Sequence, residues 1–409
     1  MCGVDSLNGT QKCPLNLCCS FLGYCGTTDL YCVNADPTGL TLPCQQGYGN
    51  CQVVATPSCN ASNKTTTNGR KVAYWQSGNV RYRTCERIAP SKIHTDGLTH
   101  LNFAFASIDP TTFSIVPVDP GDLALYSQFT ALKSATMQTW IAIGGFDFSD
   151  PGPTHTTWSD MISTSTNRVA FISSLVDFIT KWEFQGVDID WEYPAIPDRG
   201  GRAEDTQNLV SLVADMRAEF GTKFGISVTL PPDFYYLEGF DPISMECYVD
   251  FFNFMAYDLH GPWEASDLGA FVRAQSSILD IQSDLLPLWF DGLSASKINL
   301  GIPYYGRGYT LSNISCADIG CPYSGSSLAG PCTQSPGVLS LREIQEIIKE
   351  KKLTSKLIPE ELIKQITWDD QWIGYDDRDT IAMKLKWGDE HCLGGTAIWS
   401  IDFDSGSGR

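Results

Sequence analysis

From Lys71 onward, short apolar runs alternate with amphipathic stretches, and that alternation leaves the chain few architectures to choose from. Candidate strands cover 71–76, 99–107, 139–145, 184–192, 224–231, 251–258, 297–306 and 395–402, eight in all. Helical periodicity fills the gaps. Ile172, Leu175, Val176 and Ile179 share one face of 167–182, and Leu209, Leu212, Val213, Met216 and Phe220 share one face of 206–220. Strands alternating with helices pack as βα units around a parallel sheet. Eight such units closing on themselves make an α/β fold, the (β/α)8 TIM barrel, whose active site lies at the C-terminal ends of the strands. The interval between 306 and 395 is too long for one unit. It holds Cys316, Cys321 and Cys332, a Gly/Ser/Pro-rich stretch, and a helix opened by the capping box Ser340-Leu-Arg-Glu343. A small inserted subdomain at about 310–370 accounts for the extra length.

The fourth apolar run carries the chemistry. Phe184-Gln-Gly-Val-Asp-Ile-Asp-Trp-Glu-Tyr-Pro194 sets Asp188, Asp190 and Glu192 at every second position. Strand side chains alternate faces, so the three acids project to one side. Like charges crowded on a buried face cost free energy, and at least one acid should hold or share a proton near neutral pH. A carboxyl in that state can act as a general acid. A solvated acidic edge or a cation site is the competing reading. Trp191 and Tyr193, with Pro194 ending the run, favour a strand that opens into a pocket.

The front of the chain obeys different rules. Of 15 cysteines, Cys2, Cys13, Cys18, Cys19, Cys25, Cys32, Cys44 and Cys51 fall in a unit over residues 1–51 with polar, Gly-rich spacers. So short a unit cannot build a sufficient apolar core, and disulfides must substitute. Clustered cysteines can also bind metal, but no His precedes His94 and no C-x-x-C recurs, so no metal is expected. Residues 52–70, rich in Thr, Asn and Ser, read as a linker with Cys59 inside it, and the barrel domain as 71–409. Cys247 is the candidate for the thiol that an odd count leaves over. Cysteine density and sequons at Asn8, Asn60, Asn63 and Asn313 point to secretion into an oxidising compartment. Met1 leads directly into Cys2, so a signal peptide is expected to be missing from this sequence. A net charge of −19 argues against nucleic acid or an anionic membrane as partner, and no run of 18 apolar residues exists to span one. A neutral polysaccharide is indifferent to that charge, and 11 Trp, 16 Tyr and 20 Phe supply aromatic surfaces for one.

The acid segment resembles the catalytic signature of glycoside hydrolase family 18, the chitinases and their relatives, written D-G-x-D-x-D-x-E. Gly186, Asp188, Asp190 and Glu192 match it, and Gln185 stands where the pattern has Asp. As the outermost position of the series, Gln185 is expected to shift the pH profile without abolishing activity. Trp140-Ile-Ala-Ile-Gly-Gly145 is similar to the family's S-x-G-G motif, with Ala142 for Ser. Gly144 and Gly145 would let backbone approach the acid strand, although a tight strand-end turn would use them equally. Met255, Tyr257 and Asp258 resemble the M-x-Y-D motif, where Tyr and Asp contact the sugar. Arg307, at the end of the seventh run, is a candidate donor to substrate hydroxyls. Trp399 matches the Trp that floors the pocket, against a plain reading as barrel packing, Trp263 could stack on a leaving sugar, and Tyr193 is a candidate substrate contact. The insertion at about 310–370 resembles the α+β insertion that walls one side of the family's cleft.

The first unit resembles the hevein-like chitin-binding module, in which an exposed Ser and three aromatics stack on N-acetylglucosamine. By position these are Ser20, Leu22, Tyr24 and Tyr31. Leu22 departs from the pattern, and weakened binding is expected even with Phe21 beside it.

Together the resemblances imply a secreted, fungal, killer-toxin-like chitinase acting on chitin and chitooligosaccharides, monomeric and without cofactor. No second signature supplies an opposed carboxylate, and the family's substrate-assisted route is an exception to the two-carboxylate rule. It implies Glu192 as acid, the substrate's acetamido oxygen as nucleophile, Asp190 orienting the acetamido group, Asp188 sharing its proton, and Tyr257 holding the acetamido oxygen. Three rivals stay open: a non-catalytic chitin-binding lectin, an endo-β-N-acetylglucosaminidase acting on N-glycans, and a toxin subunit with a partner chain.

Overall fold

The computed structural model describes residues 1–33 and 42–404. Eight parallel strands close the barrel: β1 (Arg70–Gln76), β2 (His100–Ile108), β3 (Gln138–Gly144), β4 (Gly186–Asp190), β5 (Gly225–Leu230), β6 (Phe251–Phe254), β7 (Ile298–Pro303) and β8 (Gly395–Trp399). Each pairs with its neighbour in sequence, and β8 pairs with β1 to complete the ring. Both faces of every strand are buried, which is why the strands read as nearly unbroken apolar runs. On β4, Val187 and Ile189 join the outer core beneath the helices, while the alternate Gly186, Asp188 and Asp190 face the barrel axis. The axis itself is packed with Val72, Tyr74, Ala104, Trp140, Ala142, Phe251 and Ala397. Gly186 makes room for the Trp140 indole there, since a Cβ would lie 2.4 Å from its ring.

Helices Ser165–Trp182 and Asp205–Phe220 cover the outside where periodicity places them. Leu209, Leu212, Val213, Met216 and Phe220 are all buried, whereas Val176 is only partly so and packs at the edge.

Strand ends differ from the expected ones in a systematic way. β4 stops at Asp190, two residues before Glu192, and β6 stops at Phe254, so the motif residues sit on the loops that follow. β7 stops at Pro303, and Tyr305–Leu311 already belongs to a second, antiparallel sheet. That sheet runs Tyr323–Ser326, Tyr305–Leu311, Gln371–Tyr375, Ile363–Trp368, Lys356–Ile358, with Val338–Ser340 on Tyr305–Leu311. Its helix, Leu341–Lys351, starts as expected: the Ser340 hydroxyl accepts from the Glu343 amide at 3.1 Å, and the Glu343 carboxylate accepts from the Ser340 amide at 2.8 Å. Such a cap stabilises a helix by about 1 kcal/mol.

The first unit is held by Cys2–Cys19, Cys13–Cys25, Cys18–Cys32 and Cys44–Cys51. It rests on the barrel: Phe290 joins the cluster of buried cysteines, and Asn16 Nδ2 donates to the Phe290 carbonyl at 3.2 Å. The expected linker is no free tether over its second half. Cys59 is bonded to Cys392, and Asp389 accepts from the Thr66 and Thr67 amides and the Thr67 hydroxyl at 2.6–2.9 Å. Cys85–Cys332 and Cys316–Cys321 complete the bridges among the described residues, and Cys247 is a free, exposed thiol.

Candidate active site

The three acids of β4 and its following loop stand in a column, from the barrel interior to its C-terminal mouth. Asp188 is fully buried and accepts from the Tyr74 hydroxyl at 2.7 Å, the Ser227 hydroxyl at 2.5 Å and Asn253 Nδ2 at 3.1 Å. Asp190, above it, accepts from the Thr229 hydroxyl at 2.7 Å. Glu192 crowns the column, 8% exposed, with its carboxyl hydrogen-bonded to the Tyr193 hydroxyl.

Burial, more than any single neighbour, governs how this column titrates. It raises the Asp188 carboxyl, although three donors pull the other way. It pushes Asp190 well above the carboxylate range, with Glu192 and Asp188 adding repulsion. Glu192 rises to about 7, because desolvation outweighs the Tyr193 hydrogen bond and the Arg199 charge. A group with that value is protonated in a large fraction of molecules near neutral pH and can give its proton up.

The other expected residues converge on the same mouth. Burial and the nearby acids hold the Tyr257 phenol well above its usual range, so it stays a donor. Asp258 is engaged by the Tyr305 hydroxyl and by Arg307 Nε, each at 2.6 Å. Arg307 therefore sits on the first strand of the second sheet, not on β7, and its guanidinium lies 4.5 Å from the exposed Trp263 ring. Trp399, partly buried at the end of β8, packs against Tyr74 and stacks on Phe105 at 5.6 Å. Met255 is half-buried against the core.

Gly144 and Gly145 touch the acid strand. The Gly145 amide donates to the Asp190 carbonyl at 2.9 Å, and a Cβ on Gly144 (φ +105°) would come within 2.1 Å of that oxygen. Tyr193, a candidate substrate contact, is buried beside the acid. Its ring stacks on Tyr236 at 4.1 Å, and its hydroxyl serves Glu192.

Two expectations need correcting. Gln185 lies at the opposite end of β4 from the acid mouth and on the other face from Asp188, where its side chain accepts from the Thr139 amide. It has no path to the acids, so the reason given for a shifted pH profile fails. In the cysteine-rich unit, Ser20 is 7% exposed and its hydroxyl accepts from the Tyr24 amide, closing a turn instead of facing solvent. Leu22 and Tyr24 are exposed at 68% and 56%, and Tyr31 is half-buried.

Sequence reasoning missed Tyr74, Ser227, Thr229, Asn253 and Arg199. The first four occupy inward positions of β1, β5 and β6, a parity that could have flagged them. Arg199 had no signal. It donates to the Glu192 carbonyl at 2.9 Å and to Asp150 at 2.6 Å, and its guanidinium lies 4.0 Å from the exposed Phe146 ring.

The family profile for Glycosyl hydrolases family 18 matches residues 70–404, and that for Chitin recognition protein matches residues 1–52. The killer toxin subunits alpha/beta of Kluyveromyces lactis are 27% identical over 405 residues, covering 96% of this chain but 33% of theirs. The chain thus spans about a third of that relative's length. The catalytic domain 2 of the Ostrinia furnacalis Group II chitinase superposes with a TM-score of 0.74 at 25% identity, over 82% of this chain and 91% of that one. Human YKL-39, described as a pseudo-chitinase with retained chitooligosaccharide binding, superposes with a TM-score of 0.72 at 24% identity, over 82% of this chain and 93% of its own.

Proposed function

Because the chain belongs to family 18 of the glycosyl hydrolases, we propose that it is a secreted chitinase that cleaves β-1,4-linked N-acetylglucosamine with retention. The observation that carries this reading is the column Asp188–Asp190–Glu192, buried, hydrogen-bonded from below, and ending in a carboxyl that titrates at about 7. Glu192 protonates the glycosidic oxygen, a contribution worth about 10²–10⁴-fold in rate. Asp258, on the loop after β6, already accepts from Arg307 and Tyr305 and is tied up as a nucleophile. The substrate's own 2-acetamido oxygen attacks C1 instead, and water opens the resulting oxazolinium ion. Asp190 orients the acetamido N–H and stabilises the positive charge, Asp188 shares its proton from below, and Tyr257 donates to the acetamido oxygen. Trp399 supplies the floor under the reacting sugar, and Gly144, Gly145, Met255, Asp258, Trp263 and Arg307 shape the walls. Residues 1–51 are assigned to binding chitin through Leu22, Tyr24 and Tyr31, and the bridges throughout the chain suit an extracellular enzyme.

A YKL-39-like binding role, without cleavage, is the alternative to exclude. The wild-type protein and Glu192→Gln are compared on a chitin hexasaccharide, following products and their anomeric form. Release of β-anomers by the wild type and not by the variant, with cellohexaose untouched by both, is the expected result. Binding of the chitin oligomer by both proteins without cleavage by either would make the chain a lectin.

A further inference from the structure

The exposed tyrosine of the cysteine-rich unit does not face open solvent on all sides. A cavity of about 530 Å³ lies where this unit meets the barrel, lined from one side by Lys12, Pro14, Tyr24 and Tyr31 and from the other by Phe234 and Glu238. That volume falls in the usual range for a small-ligand pocket. Phe234 opens the short helix Phe234–Leu237 that follows β5, packs against the buried cysteines of the first unit, and continues into Tyr236, which stacks on Tyr193 beside the acid. Across the same junction Phe290 packs among the buried cysteines and Asn16 Nδ2 donates to the Phe290 carbonyl.

We propose that the cysteine-rich unit and the barrel share one saccharide site, in which Tyr24 and Tyr31 face Phe234 across an N-acetylglucosamine unit, with Lys12 and Glu238 at its rim. The inference rests on the chitinase reading for its ligand and extends it, because it makes binding by the first unit depend on a barrel residue. The chemistry matches a pyranose: apolar C–H faces lie against aromatic rings, and hydroxyl and acetamido edges meet polar groups. Lys12 and Glu238 line the cavity together with Met1, whose N-terminal ammonium lies close enough to act on the Glu238 carboxyl, so the rim carries charges of both signs. A site closed on two sides also offsets the exposed Leu22, which stands where a third aromatic would widen an open platform.

The test uses the full chain carrying Glu192→Gln, titrated calorimetrically with chitotriose. Phe234→Ala, Glu238→Gln and Tyr24→Ala are each added to that background. The expected result is two classes of site in the parent, with all three substitutions weakening the same class, the aromatic ones by about tenfold, and sparing the other. A parent with one class overturns the proposal. So does a second class that Tyr24→Ala weakens while Phe234→Ala and Glu238→Gln leave it within about twofold. Hexasaccharide cleavage by the protein with Glu192 intact reports separately on the chitinase reading. If it does not cleave, that reading fails while the titration still decides the shared site.

Discussion

Replacing Tyr193 by Phe isolates the one hydrogen bond that holds down the titration of the proposed acid. The ring stays, stacked on Tyr236 at 4.1 Å, and only the hydroxyl on the Glu192 carboxyl is lost. A hydrogen bond to a charged acceptor contributes about 1.5–3 kcal/mol, and water reaching the emptied position restores part of it. At 1.36 kcal/mol per pKa unit, the net change is about one unit upward. The hydroxyl favours the carboxylate, so its loss favours the protonated acid, and Glu192 moves from about 7 toward about 8. A general acid works protonated, and rate falls as pH rises through its pKa. The basic limb of kcat/KM on chitotetraose, followed across the neutral range, should therefore shift up by about one unit. Asp190 is close enough to titrate with Glu192, so the limb reports the pair, and the direction of its shift is the test. A limb that stays in place, or moves down, would refute both the hydrogen bond and Glu192 as the titrating group.

Three further outcomes follow from the same geometry. Glu192 has a folded-state value of about 7 against 4.5 in the unfolded chain, so its stabilisation is complete below about 4.5 and is lost as pH rises through about 7. Glu192→Gln removes that loss, and its advantage in unfolding free energy, measured by denaturant titration, should grow between about pH 5 and 8 by on the order of 3 kcal/mol; a constant difference contradicts this. Gly144→Ala drives a Cβ to 2.1 Å from the Asp190 carbonyl at a positive φ. Hydrolysis should fall at least about 100-fold, with a lower melting temperature, and near-wild-type activity would remove Gly144 from the site. Replacing both Cys59 and Cys392 by Ser should cost about 2–4 kcal/mol in thermal unfolding, while hexasaccharide cleavage at 25 °C stays unchanged; a loss of activity before unfolding would place this bridge within the catalytic scaffold.

The eight strands were legible because each lies between the packed axis and a layer of helices, and burial on both faces leaves a run of apolar residues. Asp188, Asp190 and Glu192 were legible for a related reason: charge in such a run stands out. The partners of Asp188 were not, since Tyr74, Ser227 and Asn253 lie 114, 39 and 65 residues away in sequence and meet only when the barrel closes. Pro303-Tyr-Tyr305 hid the hand-over from barrel to second sheet, because the apolar character continues while the hydrogen-bond partners change. Gln185 was misplaced against a parity that the spacing did carry, since it is three residues from Asp188 and so on the other face, whereas the closed turn at Ser20 leaves no mark in the spacing.

The Cys59–Cys392 bridge decides where force goes. On the proposed chitinase reading, residues 1–51 hold an insoluble solid while the barrel cleaves it, and the chain is pulled at its own waist. Tension arriving through residues 52–58 meets the bridge before it meets β1, and passes into the end of helix Arg378–Glu390 and the turn after it. The Thr66 and Thr67 clamp on Asp389 braces the same short stretch. β1, whose Tyr74 supports the acid column, begins only after both attachments. Without the bridge the same tension would fall on the Thr66 and Thr67 contacts to Asp389 before it reached that strand.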